Sequence, residues 1–311
     1  ETTEILPEIF DEPFADPSAV PTYLLSRMTR QRVKVALSGD GGDELFVGYP
    51  RYGAFERTNW LLRSPRLVRY AAGSVLERVP RRRYRRAASI LRQADPDGYS
   101  RFVNVWDPGE IAQIAGARGA ENPIYQAARE GTRNLPEPHR PPVLDLVSYL
   151  PEDILTKVDR CSMAVSLETR CPILDHRVVE LALRLPFRLK RQHGVSKWVL
   201  KRLLYRKVPR ELVDRPKMGF GVPLPDWFRG PLRARMEEGL RGPRLEELGL
   251  DPALPREIWS EFLAGRSHRP ELLWSLFALL SWKARWSGQP RGSLPLVENL
   301  GSAAAAVSAD R

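Results

Sequence analysis

The sequence predicts an α/β protein in which the remnant of a parallel sheet is followed by a largely helical region. Three observations carry that expectation. A short β-branched run, Val33 to Leu37, enters a glycine-rich turn, Ser38 to Glu44, and a helix begins near Asp43. Strand, glycine turn and helix in that order are the grammar of parallel α/β sheets, whose ligand sites lie at the carboxyl ends of the strands. From about Glu56 to Trp286 the apolar spacing is almost entirely helical, broken by Pro65, Pro80, Pro96, Pro108, Pro123 and the cluster Pro136 to Pro142. Finally, only one strand of the sheet is evident. A lone strand leaves its backbone groups without partners, so its neighbours are expected upstream of Glu1 and the chain is expected to be a fragment.

Each element follows from local spacing. Ile5, Leu6, Ile9 and Phe10 recur at helical intervals, and Asp11-Glu12-Pro13 ends that helix. Ser18 is placed to cap a second helix, Val20 to Thr29, with Pro21 in its first turn. The sheet remnant spans about residues 1–55 and the helical part about 56–288. Asn134 to Pro142 is the expected internal linker, and 289–311, rich in Gly, Ser and Ala, has too little apolar content to order itself.

The 311 residues are 42% hydrophobic and carry a formal charge of +11. The longest apolar run, Leu272 to Trp286, is interrupted by Ser275, Ser281, Lys283 and Arg285, short of the roughly 18 unbroken apolar residues of a membrane helix. No membrane partner is therefore expected. Cys161 and Cys171 are the only cysteines and no leader pattern opens the chain, so a reducing cytoplasm is the expected compartment. Arg81, Arg82, Arg83, Arg85 and Arg86 interleave with Tyr84, a pattern open to nucleic acid, to a solvated helix face or to a seam with an acidic domain. A non-catalytic nucleic-acid module is the least favoured of these readings.

Chemistry is written in three stretches. In SGDGGDELFVGY, Ser38 to Tyr49, the glycines let the backbone turn sharply toward a ligand, and the helix start suits an anion. Asp40, Asp43 and Glu44 would repel a phosphate, so the turn makes sense with Mg²⁺ between them or with a carboxylate acting on substrate. The plain alternative is a capped turn whose acids complement a helix dipole. In YLPEDILTKVDRCSM, Tyr149 to Met163, Asp153, Lys157 and Arg160 form a charged stripe beside Ile154, Leu155, Val158 and Met163. Asp175 is placed to cap a helix over His176 to Leu185, and Ser196 one to about Lys207. Between Asp214 and Pro223 periodicity stops, and Lys217 sits near the apex of a loop with glycines at 219 and 221, able to open and close.

These stretches, together with DEPFADPSAVPTY at Asp11 to Tyr23, LETRCPILDH at Leu167 to His176 and PKMGFGVPLPDW at Pro216 to Trp227, resemble in order and spacing the synthetase domain of the glutamine-hydrolysing asparagine synthetase family. The resemblance covers roughly Asp11 to Trp286. It implies an adenine-nucleotide alpha-hydrolase-like sheet, ATP and Mg²⁺ as cofactors, and a ligase that adenylates the side-chain carboxylate of aspartate and transfers ammonia from glutamine to the β-aspartyl-AMP. By that resemblance Ser38 and Gly39 contact ATP, Asp40 is a catalytic acidic residue, Asp43 a Mg²⁺ ligand and Lys217 a catalytic loop cation. A homodimer and a glutaminase domain are the implied partners.

The departures are also specific. The family's Ser-Gly-Gly-x-Asp-Ser pyrophosphate loop and the glutaminase domain with its terminal cysteine do not occur in the sequence, so this chain alone is expected to be inactive. Val47 replaces a glycine common at that point, expected to be a packing change only. Another adenylating amidotransferase or a β-lactam synthetase-like ligase is the alternative, disfavoured by the acidic Asp40 where β-lactam-forming relatives carry tyrosine.

Overall fold

The computed structural model describes residues 2–62, 64–79, 88, 91, 99–116, 122–214, 220–267 and 269–286. The Arg81 to Arg86 cluster, Lys217 and the tail 289–311 lie outside the described residues. The chain is mostly helical with a small parallel sheet. The elements that position the site are α1 (Thr2–Ile9), α2 (Ala19–Arg30), β1 (Val35–Leu37), α3 (Gly42–Leu45) and α4 (Pro50–Leu62), followed by α5 (Arg140–Val147), a π-helical turn (Leu150–Leu155), α6 (Thr156–Met163) and β2 (Glu168–Arg170). Then come α7 (His176–Arg184), the two-residue strands β3 (Arg191–Gln192) and β4 (Val195–Ser196), α8 (Trp198–Leu204), α9 (Leu224–Arg229), α10 (Ala253–Leu263) and α11 (Pro270–Trp286).

The lone strand proves to have a partner, and it comes from downstream. β1 pairs in parallel with β2, Val35 opposite Glu168 and Leu37 opposite Arg170, a register that Ser38 N–H extends by donating to the Arg170 carbonyl at 2.8 Å. Glu168-Thr169-Arg170 carries no apolar alternation and sits inside a helical stretch, so spacing does not mark it as a strand. Among the described residues β1 and β2 pair only with each other. Parallel sheets are ordinarily covered on both faces, yet Leu37 is 73% exposed, and Val33 and Val35 on the same segment and Met28 on α2 are exposed too.

Other boundaries move for local reasons. The expected linker Asn134 to Pro142 stays outside helix as far as His139, but its last three residues enter α5, where Pro141 and Pro142 occupy the first turn and no N–H is needed. Ser18 precedes α2 but makes no side-chain cap; its N–H and hydroxyl both donate to Asp16. Ser196 lies in β4, and α8 starts after Lys197 and ends at Leu204. Asp175 does cap α7, accepting from Arg177 N–H at 2.9 Å. The charged stripe packs through ion pairs, Lys157 being buried and Arg160 reaching Asp11 at 2.6 Å, while Met163 of the apolar stripe is exposed.

The largest core joins α1, α9, α10 and α11. Phe228 presents its ring to the edges or faces of Trp259, Phe262 and Phe277 at 6.2, 6.3 and 6.0 Å, each such pair adding about 0.5–1.5 kcal/mol beyond area burial. A second core, Val47, Tyr52, Phe55, Tyr99 and Leu144, lies directly under the glycine-rich turn. Leu45, Phe46 and Ala182 tie that turn to α7.

Candidate functional site at the carboxyl ends of the parallel strands

The chain leaves β1 at Leu37 and reverses through the glycine turn. Gly41 adopts φ +86°, a left-handed conformation that side chains disfavour, and a Cβ there would lie 2.1 Å from Leu174 Cδ2. Helix α3 then starts at Gly42, with Leu45 N–H donating to the Gly41 carbonyl at 3.0 Å. Ser38, Gly39, Asp40 and Asp43 are thereby gathered on one short turn. The Ser38 hydroxyl donates to Asp40 Oδ2 at 2.7 Å and lies 3.1 Å from Cys171 Sγ, the residue that follows β2. The carboxyl ends of both strands thus meet in one polar edge, while Gly39 is open, with no atom within 4 Å of a Cβ placed on it.

Asp43 does not simply cap a helix. Its Oδ1 lies 3.2 Å from Lys197 Nζ, both groups half-buried. Lys197 holds φ +55° at the start of α8, and its N–H donates to the Phe46 carbonyl at 3.1 Å. A cation at a helix amino terminus opposes the helix dipole, so this position calls for a negative partner. That conflict is the only signal of Lys197 in the sequence, since the residue belongs to no periodic pattern. A Cβ on Gly48 would lie 1.9 Å from Asp43 Oδ1 and 2.3 Å from Lys197 Cε. Gly48 is therefore the residue that lets the pair form. Gly48→Ala is expected to force the two side chains apart at a cost of about 1–3 kcal/mol, whereas Gly39→Ala changes stability little; urea denaturation of both variants checks the contrast.

Val47 corrects the expectation of a mere packing change. It is fully buried at φ +57°, where a β-branched residue is strained by on the order of 1–3 kcal/mol. The turn after α3 is held in that form by Gly48 N–H donating to the Asp43 carbonyl at 2.7 Å and by the core around the Val47 side chain.

Below the turn, Glu44 is 2% exposed and accepts from the Tyr49 hydroxyl at 2.9 Å. Burial pushes its carboxyl above the usual range, and Asp43 and Asp145 add to the rise, against the Tyr49 hydrogen bond. Tyr49 in turn stacks on Arg51, whose guanidinium lies 4.0 Å from the Tyr49 ring centre and 4.6 Å from that of Tyr149. Arg51 is anchored by Asp145, 2.8 Å from Nη2, and by the Tyr99 hydroxyl, 2.9 Å from Nε. Sequence spacing gives no hint of this set, because its members, from Glu44 to Tyr149, lie up to 105 positions apart. The third predicted region is described only at its margins: Asp214 accepts from Lys201 at 2.8 Å and from the Tyr205 hydroxyl at 2.7 Å, and Phe220 is exposed.

The fold and this edge define a mostly helical α/β protein that assembles a glycine-rich acidic turn, a thiol and a lysine at the carboxyl ends of a parallel strand pair. The chain belongs to the asparagine synthase family, whose model matches residues 1–284. It is 32% identical over 301 residues to a protein of Mycobacterium tuberculosis H37Rv named putative asparagine synthetase, glutamine-hydrolyzing, covering 90% of this chain and 44% of that protein. The Bacillus subtilis protein named asparagine synthetase 1, glutamine-hydrolyzing, is 27% identical over 296 residues, 89% of this chain and 45% of its own length. A carboxyethyl-arginine beta-lactam-synthase of Streptomyces clavuligerus is 33% identical over 117 residues, 36% of this chain and 21% of its own. The chain thus spans less than half the length of the curated synthetases it matches.

Proposed function

We propose that this chain is the synthetase part of an ATP-dependent ligase that converts aspartate to asparagine with ammonia from glutamine. The observation that carries the reading is the turn Ser38 to Asp43, set at the carboxyl end of β1 in a chain matched by the family model over 1–284. Ligands of open α/β sheets lie at that edge. In this reading an oxygen of the aspartate side chain attacks the α-phosphorus of ATP and pyrophosphate leaves. Ammonia then attacks the activated carbonyl carbon, AMP leaves and the nitrogen loses a proton.

Ser38 and Gly39 contact the nucleotide, the open backbone at Gly39 allowing close approach. Asp40, already oriented by the Ser38 hydroxyl, faces the substrate side as the catalytic carboxylate. Lys197 and Lys217 supply positive charge against the phosphates. Among the described residues no group of three His, Cys, Asp or Glu side chains is arranged to hold a metal ion. The donor set nevertheless fits Mg²⁺, which takes one or two carboxylates and completes its shell with phosphate oxygens and water; Asp43 is the residue that would hold it. The ion supplies charge neutralisation on the phosphates. In the same reading residues 1–288 are part of a synthetase domain of the adenine-nucleotide alpha-hydrolase-like type that works with a glutaminase domain, in a homodimer.

The experiment is aspartate-dependent exchange of labelled pyrophosphate into ATP, run on the chain alone and on the chain complemented with the part of a full-length relative that it does not cover. Exchange is expected only in the complemented protein. In it Asp43→Asn should raise the Mg²⁺ needed for half-maximal rate by about tenfold or more and leave the melting temperature nearly unchanged. Lower stability with unchanged Mg²⁺ dependence would return Asp43 to a capping role. Exchange driven by a β-amino acid rather than aspartate would favour the β-lactam-forming alternative, and salt-sensitive DNA or RNA binding without exchange the non-catalytic one.

A further inference from the structure

Two buried carboxyl groups lie near one ammonium. Lys157 Nζ, on α6, lies 2.5 Å from Asp16 Oδ2 in the segment leading into α2, and both side chains are largely buried. Asp16 is satisfied further by the Ser18 N–H at 2.8 Å and the Ser18 hydroxyl at 2.7 Å. Asp153, in the π-helical turn, points its carboxyl into the same space, and its buried Oδ1 finds no hydrogen-bond donor. The Asp16 carboxylate lies within hydrogen-bonding reach of the Asp153 carboxyl. Two acceptors cannot bond each other. One proton on Asp153 removes the conflict: it gives the orphan oxygen a role as donor and leaves one carboxylate facing one ammonium.

The Tyr149 hydroxyl is a donor to the Asp153 carboxyl, yet Oδ1 stays without one. Asp16 faces Asp153 from the segment before α2, Lys157 from α6, and Tyr149 from its own element, with Arg51 of α4 beyond the Tyr149 ring and the Cys161 thiol beside Lys157. Lys157 is already committed to Asp16, and Arg51 to Asp145. The cluster also stands where the fold is joined, since α2 packs along α6, and π-helical turns recur where function or strain is placed.

We propose that Asp16, Asp153 and Lys157 form a proton-dependent latch that holds α2 against the π-helical turn and α6, closed while one proton is shared between the two carboxyls and loosened when it leaves. Burial and the Asp16 carboxylate push the Asp153 carboxyl up to about 7. Burial also raises Asp16, but Lys157 and the Ser18 bonds outweigh it and leave Asp16 below its ordinary value. The sign follows. Between the ordinary aspartate range and about 7 the folded chain keeps a proton that the unfolded chain has released, so stability falls as pH rises through that window and levels off above it. Because Tyr149 stacks on Arg51 and Arg51 on Tyr49, which holds Glu44, the latch sits within reach of the turn that carries the proposed chemistry.

The test is the unfolding equilibrium of the 311-residue chain in urea from pH 5.5 to 8.5, compared with Asp153→Asn, whose amide can donate to Asp16 at every pH. The unfolding constant of the wild type is expected to rise by about twentyfold more than that of Asp153→Asn between pH 5.5 and 7.5, and the variant should be the more stable of the two above pH 7.5. Parallel curves for the two proteins overturn the latch. If Asp153→Asn does not fold, carboxyl ¹³C titration of the wild type decides: an Asp153 midpoint near 7 supports it, and one in the ordinary aspartate range overturns it.

Discussion

Replacing Lys217 by Met in the complemented protein is expected to lower the rate of asparagine formation by about 10²–10³-fold, the usual cost of removing one preorganised charge from a developing anion. The loop reads as a lid because Gly219 and Gly221 follow the lysine closely and all periodicity stops between Asp214 and Pro223. Its described stem fits that reading: Asp214 is tied to Lys201 and Tyr205 on one side, and on the other the chain resumes a regular helix at Leu224. The loss should fall on turnover, with the melting temperature and any glutaminase activity measured without aspartate unchanged. Lys217→Arg should recover only part of the rate, since a planar guanidinium does not reproduce a compact ammonium. Steady-state rates of asparagine formation check this. Turnover within about threefold of the parent, far short of that loss, would make Lys217 an ordinary surface residue.

The second large effect concerns stability. Arg51→Met leaves Asp145, which is 0% exposed, with its charge uncompensated, and removing one partner of a buried pair costs about 3–5 kcal/mol. The Tyr99 hydroxyl still donates to Asp145, but a neutral donor does not replace a guanidinium. Arg51→Lys should fall between the two, because an ammonium keeps the charge but loses the planar stacking on Tyr49 and Tyr149 and the two-nitrogen contact. Urea denaturation of the chain measures it; a loss below about 1 kcal/mol would mean that Asp145 reaches water once Arg51 is gone.

Much of the site was legible because it is local. Ser38, Gly39, Asp40 and Asp43 fall on one turn after a strand, and the turn's glycines, acids and spacing all lie within six residues. The Asp175 cap and the helices around Leu6 and Trp274 were legible for the same reason, since capping and helical periodicity act over one or two turns. What escaped is non-local. β2 is three residues of mixed polarity whose strand state depends on β1 lying beside it, more than 130 positions away. Lys197 became part of the site only when β4 and α8 brought it over Gly48, and spacing shows the charged stripe of Asp153 and Lys157 but not its burial or its partners.

The sequence by itself determined the elements whose causes lie within a few residues: the strand and its glycine turn, the helical bulk, and the acids and serine offered to a ligand. Only the tertiary structure decided which of those groups are paired, buried or strained. Asp43 meets Lys197, Glu44 is held by Tyr49, Val47 is forced to φ +57°, and Asp16 takes Lys157 while Asp153 Oδ1 is left without a partner. The physical reason is one of range. Propensity, capping and turn chemistry act along the chain, whereas desolvation and Coulomb interaction depend on which groups packing brings within a few ångströms of each other.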